Sequence, residues 1–573
     1  MKLLSHEIAG LVETAIRAAQ ADGTLPAFDV PNIDITSPKR AEHGDFATAI
    51  PMALAKPAKL NPFGIATAIA NHMPTADYIG AVEVVHPGFI NFRLADDWVR
   101  AQTETIIAEG ERLWTLEIGA GQRAQVEFVS ANPTGPLHIG RSRGAIVGDV
   151  MARLLQAAGY DVEREYYFNN AGVQMNNLAI SLRIRYYEAL GLPLNNEEPP
   201  YKGAYLADLG KALAAEQGDA LKDADLQPFK QYAETQMFAM IRATLKRVDI
   251  HHDVFFNENS LYDSGAIWNI LERLEQRGTI YKSATPEFDE TGGGADDDVN
   301  EKNAGKGAAT WFRSGKFGDN KDRVMVKANG EPTYTLPDIA YHVNKLERGF
   351  AVCVNILGAD HFVQHQVVKY GLRALDMDAS KIHVIIVQIV HLLKDGTPVK
   401  QSTRAGNFET LDDLIDQTSA DAVRYMLLSR SSDAQMNFDV DLAVKQSNEN
   451  PVYYVQYAYV RCAGIFREAA LRGVNDESAD VRLLGDAELK FLRKAMELGE
   501  VIAQAARSYE PHRIAFYALE LANAFHPIFD GVRVLHTEVP PDVAQARLRF
   551  YRAAQVVLRR VLALMGMSAP EYM

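Results

Sequence analysis

The stretch from Gln125 to Phe168 constrains the fold more than any other part of the chain. Gln125–Val129 reads as a short apolar strand. Ser130-Ala131-Asn132-Pro133-Thr134-Gly135-Pro136 follows, and this run of prolines and glycine excludes regular structure. Ile146, Val147, Val150, Met151, Leu154, Leu155 and Ala158 then recur at helical spacing, and Gly159 suits the helix C-terminal end. Asp161–Phe168 reads as the next strand. Strand, loop, helix and strand make a βαβ unit, so a parallel, nucleotide-binding type of sheet begins here.

The rest of the chain is organised around that unit. A length of 573 residues corresponds to roughly three or four domains. Residues 1 to about 115 read as a small α+β domain. Leu4, Ile8, Leu11, Val12, Ala15, Ile16 and Ala19 share one helix face, and Ala81–Val85 and Phe89–Leu94 are strands about the turn His86-Pro87-Gly88. Gly119-Ala120-Gly121 is a linker. The sheet domain is expected over 120–395, with a helical insertion at about 175–310. Its strands resume at Arg323–Lys327, Val352–Leu357 and His383–His391. Gly292 to Asp298 reads as a solvated acidic loop in preference to a metal site. From 410 the chain reads as helical to its end. Asn450-Pro451 marks a helix start, and 446–573 suits a helical bundle.

Charge and cysteine content exclude several classes. The net charge of −15 argues against a protein that coats nucleic acid nonspecifically, since such binding relies on Lys and Arg neutralising phosphates. Residues 441–573 are locally neutral, and Arg547, Arg549, Arg552, Arg559 and Arg560 fall in a stretch with no acid. That stretch is either a solvated helix face or a patch for a polyanion. The two cysteines, Cys353 and Cys462, form no CxxC and join no His/Cys cluster. No disulfide framework and no zinc site are expected, and the compartment reads as reducing and cytoplasmic. No run of apolar residues is long enough to span a membrane.

Two loops carry chemistry. His138-Ile139-Gly140-Arg141 sits at a predicted helix start, where free backbone N–H groups and the positive end of the helix dipole favour phosphate. Neither GxGxxG nor GxxxxGK[ST] is present. Lys400-Gln401-Ser402-Thr403-Arg404-Ala405-Gly406-Asn407 offers a second set of phosphate donors from the other half of the same sheet.

At these residues the sequence resembles the class I aminoacyl-tRNA synthetases, in the bacterial arginyl form. Glu127 to Gly140 is similar to the region ending in the "HIGH" signature, and Lys400 to Asn407 to the "KMSKS" loop. Tyr334 to His342 resembles the arginine-pocket segment, and Gly358 to His361 the strand end facing the adenylate. Glu42 to Thr48 and Ala569 to Met573 resemble the two ends of such chains. Two positions depart: Arg141 stands where the family has its second signature histidine, and Thr403 where it has the second lysine.

The resemblance implies a multidomain α/β protein. Its parts would be a Rossmann-like parallel-sheet catalytic domain, an N-terminal α+β domain touching the outer corner of tRNA, a KMSKS-like and stem-contact region at 396–445, and an all-α anticodon-binding bundle at 446–573. It implies ATP-dependent activation of L-arginine and transfer to the 3′ end of tRNA(Arg), with magnesium accompanying ATP. His138, Gly140, Arg141, Lys400 and Ser402 would act on the phosphates. Glu127, Ser130, Asn132, Tyr334 and Asp338 would hold arginine. Thr134, Gly135, Pro136, Leu137, Asp360 and His361 would join His138, Gly140 and Lys400 around ATP. Tyr453, Tyr454, Tyr457 and Tyr459 are candidates for stacking on anticodon bases. A monomer without membrane partners is expected. Arg141 and Thr403 motivate the alternative, a synthetase-like protein that binds tRNA or nucleotide with impaired catalysis.

Overall fold

The computed structural model describes residues 3–38, 40–194, 197–290, 307–399 and 410–573. Two units emerge, one made of 121–156 with 160–445, the other of 1–120, 157–159 and 446–573.

The first unit is built on five parallel strands: β1 (Arg123–Glu127), β2 (Asp161–Phe168), β3 (Val254–Asn257), β4 (Val352–Gly358) and β5 (Ile382–Val387), in the order β5-β4-β1-β2-β3. Helices cover such a sheet on both faces, so its central strands are buried, polar residues included: Gln125 is 0% and Asn355 1% exposed. Ala124, Val126, Cys353 and Val354 are all fully buried. Helix α1 (Ile139–Ala157) links β1 to β2. Its predicted face is the buried one, with Ile146, Val150, Met151, Leu154 and Ala158 at zero exposure. Gly148 lets it approach closely, because a Cβ there would meet the Phe128 side chain at 2.3 Å. Gly159, at φ +93°, ends the turn. Helices α2 (Thr335–Glu347) and α3 (Phe362–Ala374) flank β4 in the chain.

Three expectations change. The stretch after 175 is helical only in part. Helices Gly172–Leu190, Ala204–Gln217 and Gln227–Arg247 pack on their own core, and the chain then returns to the sheet as β3. A three-stranded antiparallel sheet, Ile280–Ser283, Ala309–Phe312 and Arg323–Val326, follows. The predicted strand 383–391 is two strands. β5 ends at Val387, and Val390–Lys394 joins Thr397–Pro398 and Met436–Asp439 in a separate sheet. Gln388 makes the break: its N–H donates to Ser432 O at 3.0 Å, off the β5 ladder. Met436–Asp439 likewise interrupts the helices expected after 410, because it pairs with a strand far back in the chain.

In the second unit, helix Leu4–Ala21 and the antiparallel strands Phe46–Thr48, Phe89–Leu94 and Ile79–Val85 form the N-terminal part. Five long helices form the C-terminal part: Pro451–Leu471, Asp486–Met496, Leu498–Ser508, Arg513–Gly531 and Pro541–Leu564. Asn450 caps the first of these, its side chain accepting from Val452 N at 3.0 Å.

Candidate active site

Strand order runs outward in both directions from β1 and β4, and at such a switch point a crevice opens beyond the strands' carboxyl ends. A cleft of about 380 Å³ lies there. Asp338, Tyr341, His342 and Lys345 recur every three to four residues, so α2 turns one polar face towards it.

Lys345 is fully buried. Its Nζ donates to Glu127 Oε2 at 2.6 Å and to Asn355 Oδ1 at 2.7 Å, and it lies 4.3 Å from the centre of the Tyr341 ring. Asn355 Nδ2 in turn reaches His342 Nε2 at 2.7 Å, while His342 Nδ1 bonds the Asp338 carbonyl at 2.7 Å. The imidazole therefore accepts through Nε2 and donates through Nδ1. Burial, with the Lys345 charge second, pushes its pKa down to about 3, so it stays neutral. Glu127 is the hub of this network, and its other oxygen accepts from the Ser130 hydroxyl at 3.0 Å.

Asp338 lines the cleft and accepts from the Gln364 amide. Burial first, then the neighbouring Glu258 charge, raise its pKa to about 7. Glu258 accepts from Tyr167 Oη at 2.6 Å and Asn169 Nδ2 at 2.9 Å, and burial lifts its pKa too. Among the described residues no cation pairs with Asp338 or Glu258, and Lys345 is committed to Glu127. Asp338 and Glu258 thus face the cleft unpaired, with Arg141 also on its lining, and two unpaired carboxylates suit a cationic ligand. Tyr334 stands at the rim, 80% exposed, one turn before Asp338.

The loop after β1 is held in an unusual backbone. Val129 and Ser130 have φ of +69° and +42°, in the left-handed region that costs L-residues of order 1–3 kcal/mol. The turn brings Ser130 Oγ back to Glu127 and within 3.2 Å of the Tyr167 N–H that donates to it. Asn132 accepts from Asn169 N at 3.1 Å and donates to Gln174 at 3.0 Å. Thr134, Gly135, Pro136 and Leu137 line the adjoining surface. The Gly140 N–H donates to His138 Nδ1 at 3.0 Å, which puts the imidazole proton on Nε2. Burial and the Arg141 charge lower the His138 pKa. Arg141 is exposed in the first turn of α1.

His361 also lines the cleft, in the turn Ala359–His361 after β4; the Asp360 side chain lies outside the described residues. Lys400, Ser402, Thr403 and the acidic loop Gly292 to Asp298 also fall outside them. The chain re-enters at Thr410, which bridges to His138, and Leu411 N donates to Leu137 O at 2.8 Å. The 410 end of that segment is thus anchored beside the signature loop.

The sequence did not point to Glu258, Gln364, Lys345 or His365. His365 is 3% exposed, lines the cleft, and its Nε2 has no hydrogen-bond partner among the described residues. A lysine two turns after Asp338 on the buried face of α2 was a usable signal. Glu258 and Gln364 have none locally.

The two arrays expected to meet RNA are more internal than their composition suggests. Arg547, Arg549, Arg552, Arg559 and Arg560 pair with Glu488, Glu104, Asp476 and Glu111, at distances from 2.6 to 3.9 Å. Tyr459 is buried. Tyr453 and Tyr457 stack at 5.2 Å, Tyr454 lies 4.2 Å from His526, and Arg461 covers Tyr457.

The chain is similar to known proteins along its whole length. Residues 6–94 match the arginyl tRNA synthetase N terminal domain, 102–285 the catalytic domain of class I (R) tRNA synthetases, and 455–573 the DALR anticodon binding domain. The arginine–tRNA ligase of Listeria welshimeri is 40% identical over 580 residues, covering 100% of both chains. That of Bacillus subtilis is 39% identical over 579 residues, again covering both chains fully. The arginyl-tRNA synthetase structure of Thermus thermophilus shares the fold, with a TM-score of 0.75 at 18% identity and complete coverage of both chains. With full-length identity of that order and all three domains in sequence, the chain belongs to the arginyl-tRNA synthetase family of class I aminoacyl-tRNA synthetases.

Proposed function

We propose that the cleft between β1 and β4 is where this arginine–tRNA ligase activates its amino acid, with Asp338 as the guanidinium acceptor. One observation carries the reading: Asp338 and Glu258 face the cleft with no cation of their own among the described residues. Arginine brings two cations, and a planar guanidinium prefers a carboxylate that takes both its N–H groups. Glu127, tied to Lys345, orients Ser130 and does not meet the substrate as a bare charge. Asn132 and Ser130 face the α-amino and carboxylate end, and Tyr334 closes the rim.

The arginine carboxylate attacks the ATP α-phosphate and pyrophosphate leaves. The 2′-hydroxyl of the terminal adenosine of tRNA(Arg) then attacks the mixed anhydride. No covalent nucleophile is needed, so the protein acts by placing the reactants and stabilising charge at phosphorus. His138, donating from Nε2, and the first turn of α1 at Gly140 and Arg141 serve one side; Lys400 and Ser402 serve the other. Thr134 to Leu137, Asp360 and His361 border ATP. Magnesium enters on the ATP phosphates. The 446–573 helices read the anticodon, and residues 1–115 touch the outer corner of the tRNA.

Pyrophosphate exchange with arginine in the presence of tRNA(Arg) tests the assignment. Asp338→Ala abolishes arginine binding and leaves ATP binding intact. Unchanged arginine affinity in that variant would remove Asp338 from the pocket.

A further inference from the structure

Arg143 stands one turn into α1, just after Gly140, and is fully buried. Among the described residues no carboxylate forms an ion pair with it; its guanidinium bonds backbone carbonyls instead. Nη1 donates to Ala434 O at 2.6 Å and to Gln388 O at 3.4 Å. Nη2 donates to Ser431 O at 2.8 Å and to Arg430 O at 3.4 Å. Burial lowers its pKa to about 10, which leaves it charged at neutral pH.

These carbonyls mark the start of one strand pair. Val390–Lys394 and Met436–Asp439 run parallel, with Val390 opposite Met436. Gln388 and Ala434 each stand two residues before that first pair, and the same Nη1 takes both carbonyls. Gln388 also directly follows β5, the neighbour of β4 in the large sheet. One side chain thus ties the first turn of α1 to the edge of the sheet that frames the arginine cleft.

Stability alone does not call for an arginine here. A buried charge without a counter-charge is costly to desolvate, and apolar side chains of similar volume often serve as well or better. A guanidinium supplies direction: two terminal nitrogens in one rigid plane hold several carbonyls at set positions. The proposed reaction needs that precision. The arginine carboxylate, held in the cleft, has to meet a phosphate held at His138 and Gly140, and a misplacement of about 1 Å costs on the order of a hundredfold in rate.

We propose that Arg143 is a positioning residue for arginine activation, fixing the phosphate-binding turn of α1 against the sheet edge beside the arginine cleft. The proposal rests on the assignment of His138 and Gly140 to the ATP phosphates.

Arg143→Lys tests it, because lysine keeps the charge but brings one nitrogen where the guanidinium brings two. In pyrophosphate exchange with arginine and tRNA(Arg), this variant lowers kcat by at least about tenfold and changes the KM for ATP by less than about twofold, since alignment is lost and ground-state binding is kept. Arginine affinity by isothermal titration stays at the wild-type value, which also shows that the cleft is folded. Hydrogen exchange quickens in the first turn of α1 and in Met436–Asp439, and not in β4. Arg143→Gln gives the same split between kcat and KM, and decides the matter should the lysine variant not fold. Arg424→Lys is the control: Arg424 is 1% exposed and pairs with Asp149 further along α1, so its loss lowers the unfolding midpoint and leaves kcat unchanged. A normal kcat in a destabilised Arg143→Lys would make Arg143 a structural anchor only and overturn the proposal. An equal loss of kcat in Arg424→Lys would make the effect one of general stability and overturn it too. His138→Ala separates the two readings. Unchanged activation in His138→Ala removes α1 from the phosphates; slow activation there beside a normal Arg143→Lys overturns the positioning alone.

Discussion

Lys345 and Glu127 form an ion pair of 2.6 Å whose side chains are 0% and 8% exposed, 218 residues apart in the chain. The pair joins α2 to the end of β1 inside the candidate site. Removing one partner of a buried pair strands the other charge and costs about 3–5 kcal/mol, whereas removing both costs far less. Lys345→Met therefore lowers the stability of the catalytic unit by about that amount, and Lys345→Met with Glu127→Gln recovers much of it. Urea titration of the two single variants and the double variant measures this coupling. A loss under about 1 kcal/mol for Lys345→Met would show that Glu127 is not carried by the pair.

Asp338 makes arginine binding depend on pH. Its pKa is raised to about 7, so below that value the free protein holds a neutral acid facing the cleft. A guanidinium binds the ionised form, so arginine affinity rises as pH climbs through about 7, and binding releases a proton. Isothermal titration in buffers of different ionisation enthalpy reads both effects. Asp338→Asn flattens the profile. The stability effect has the opposite sign. A carboxyl whose pKa is higher folded than unfolded makes the native state bind more protons, so stability falls as pH rises between the two values. Asp338→Asn is accordingly more stable than wild type above about pH 7, and the gain vanishes towards the ordinary carboxyl range.

Arg549 donates to Glu104 at 2.6 and 2.8 Å and to Asp476 at 3.5 Å, and these bonds raise its pKa. The acid-free stretch of the last long helix therefore meets its acids from other elements. An arginine bound to phosphate contributes about one unit to the salt slope of RNA binding; an arginine bound to protein carboxylates contributes stability instead. Arg549→Ala lowers the thermal midpoint of its unit and leaves the salt slope for tRNA(Arg) unchanged. A slope reduced by about one would return Arg549 to the RNA surface.

What was legible in the sequence was local. The βαβ unit showed because prolines and a glycine interrupt two periodic segments, and the buried face of α1 is the one its spacing gives. Asp338 and Tyr334 were visible by family resemblance, and one helical turn places them together. The strand break at Gln388 was hidden, because apolar residues continue on both sides and the cause is a hydrogen bond to Ser432. β3 was hidden for the same kind of reason: four residues within a helical stretch pair with β2, 89 positions away. Arg143 is the plainest case. By spacing it continues the apolar face of α1 one turn before Val147, where an arginine is unexpected; it is fully buried, with bonds to the carbonyls of Ala434 at 2.6 Å and Ser431 at 2.8 Å. The period places it on the buried face, but the carbonyls that satisfy it lie nearly 300 residues downstream and leave no local signal.

By the resemblance, Arg141 stands where the second signature histidine would be, and of the two departing positions it is the one among the described residues. Its guanidinium is exposed in the first turn of α1, and no carboxylate bonds to it among the described residues. It lowers the pKa of His138, which favours the neutral imidazole that donates from Nε2. An arginine there supplies permanent charge to the phosphates, where a histidine would supply charge only when protonated. Removing a charge-assisted contact costs about 1.5–3 kcal/mol, or roughly 10- to 150-fold. Arg141→Ala is expected to lower kcat/KM for ATP by at least about tenfold with the KM for arginine unchanged, and to raise the His138 pKa. Arg141→His restores most of the loss if charge at this point acts on the transition state. A rate for Arg141→His well above wild type would instead mean that the native arginine holds the ground-state triphosphate too firmly. Steady-state kinetics with ATP as the varied substrate, alongside an NMR titration of His138, distinguishes these outcomes.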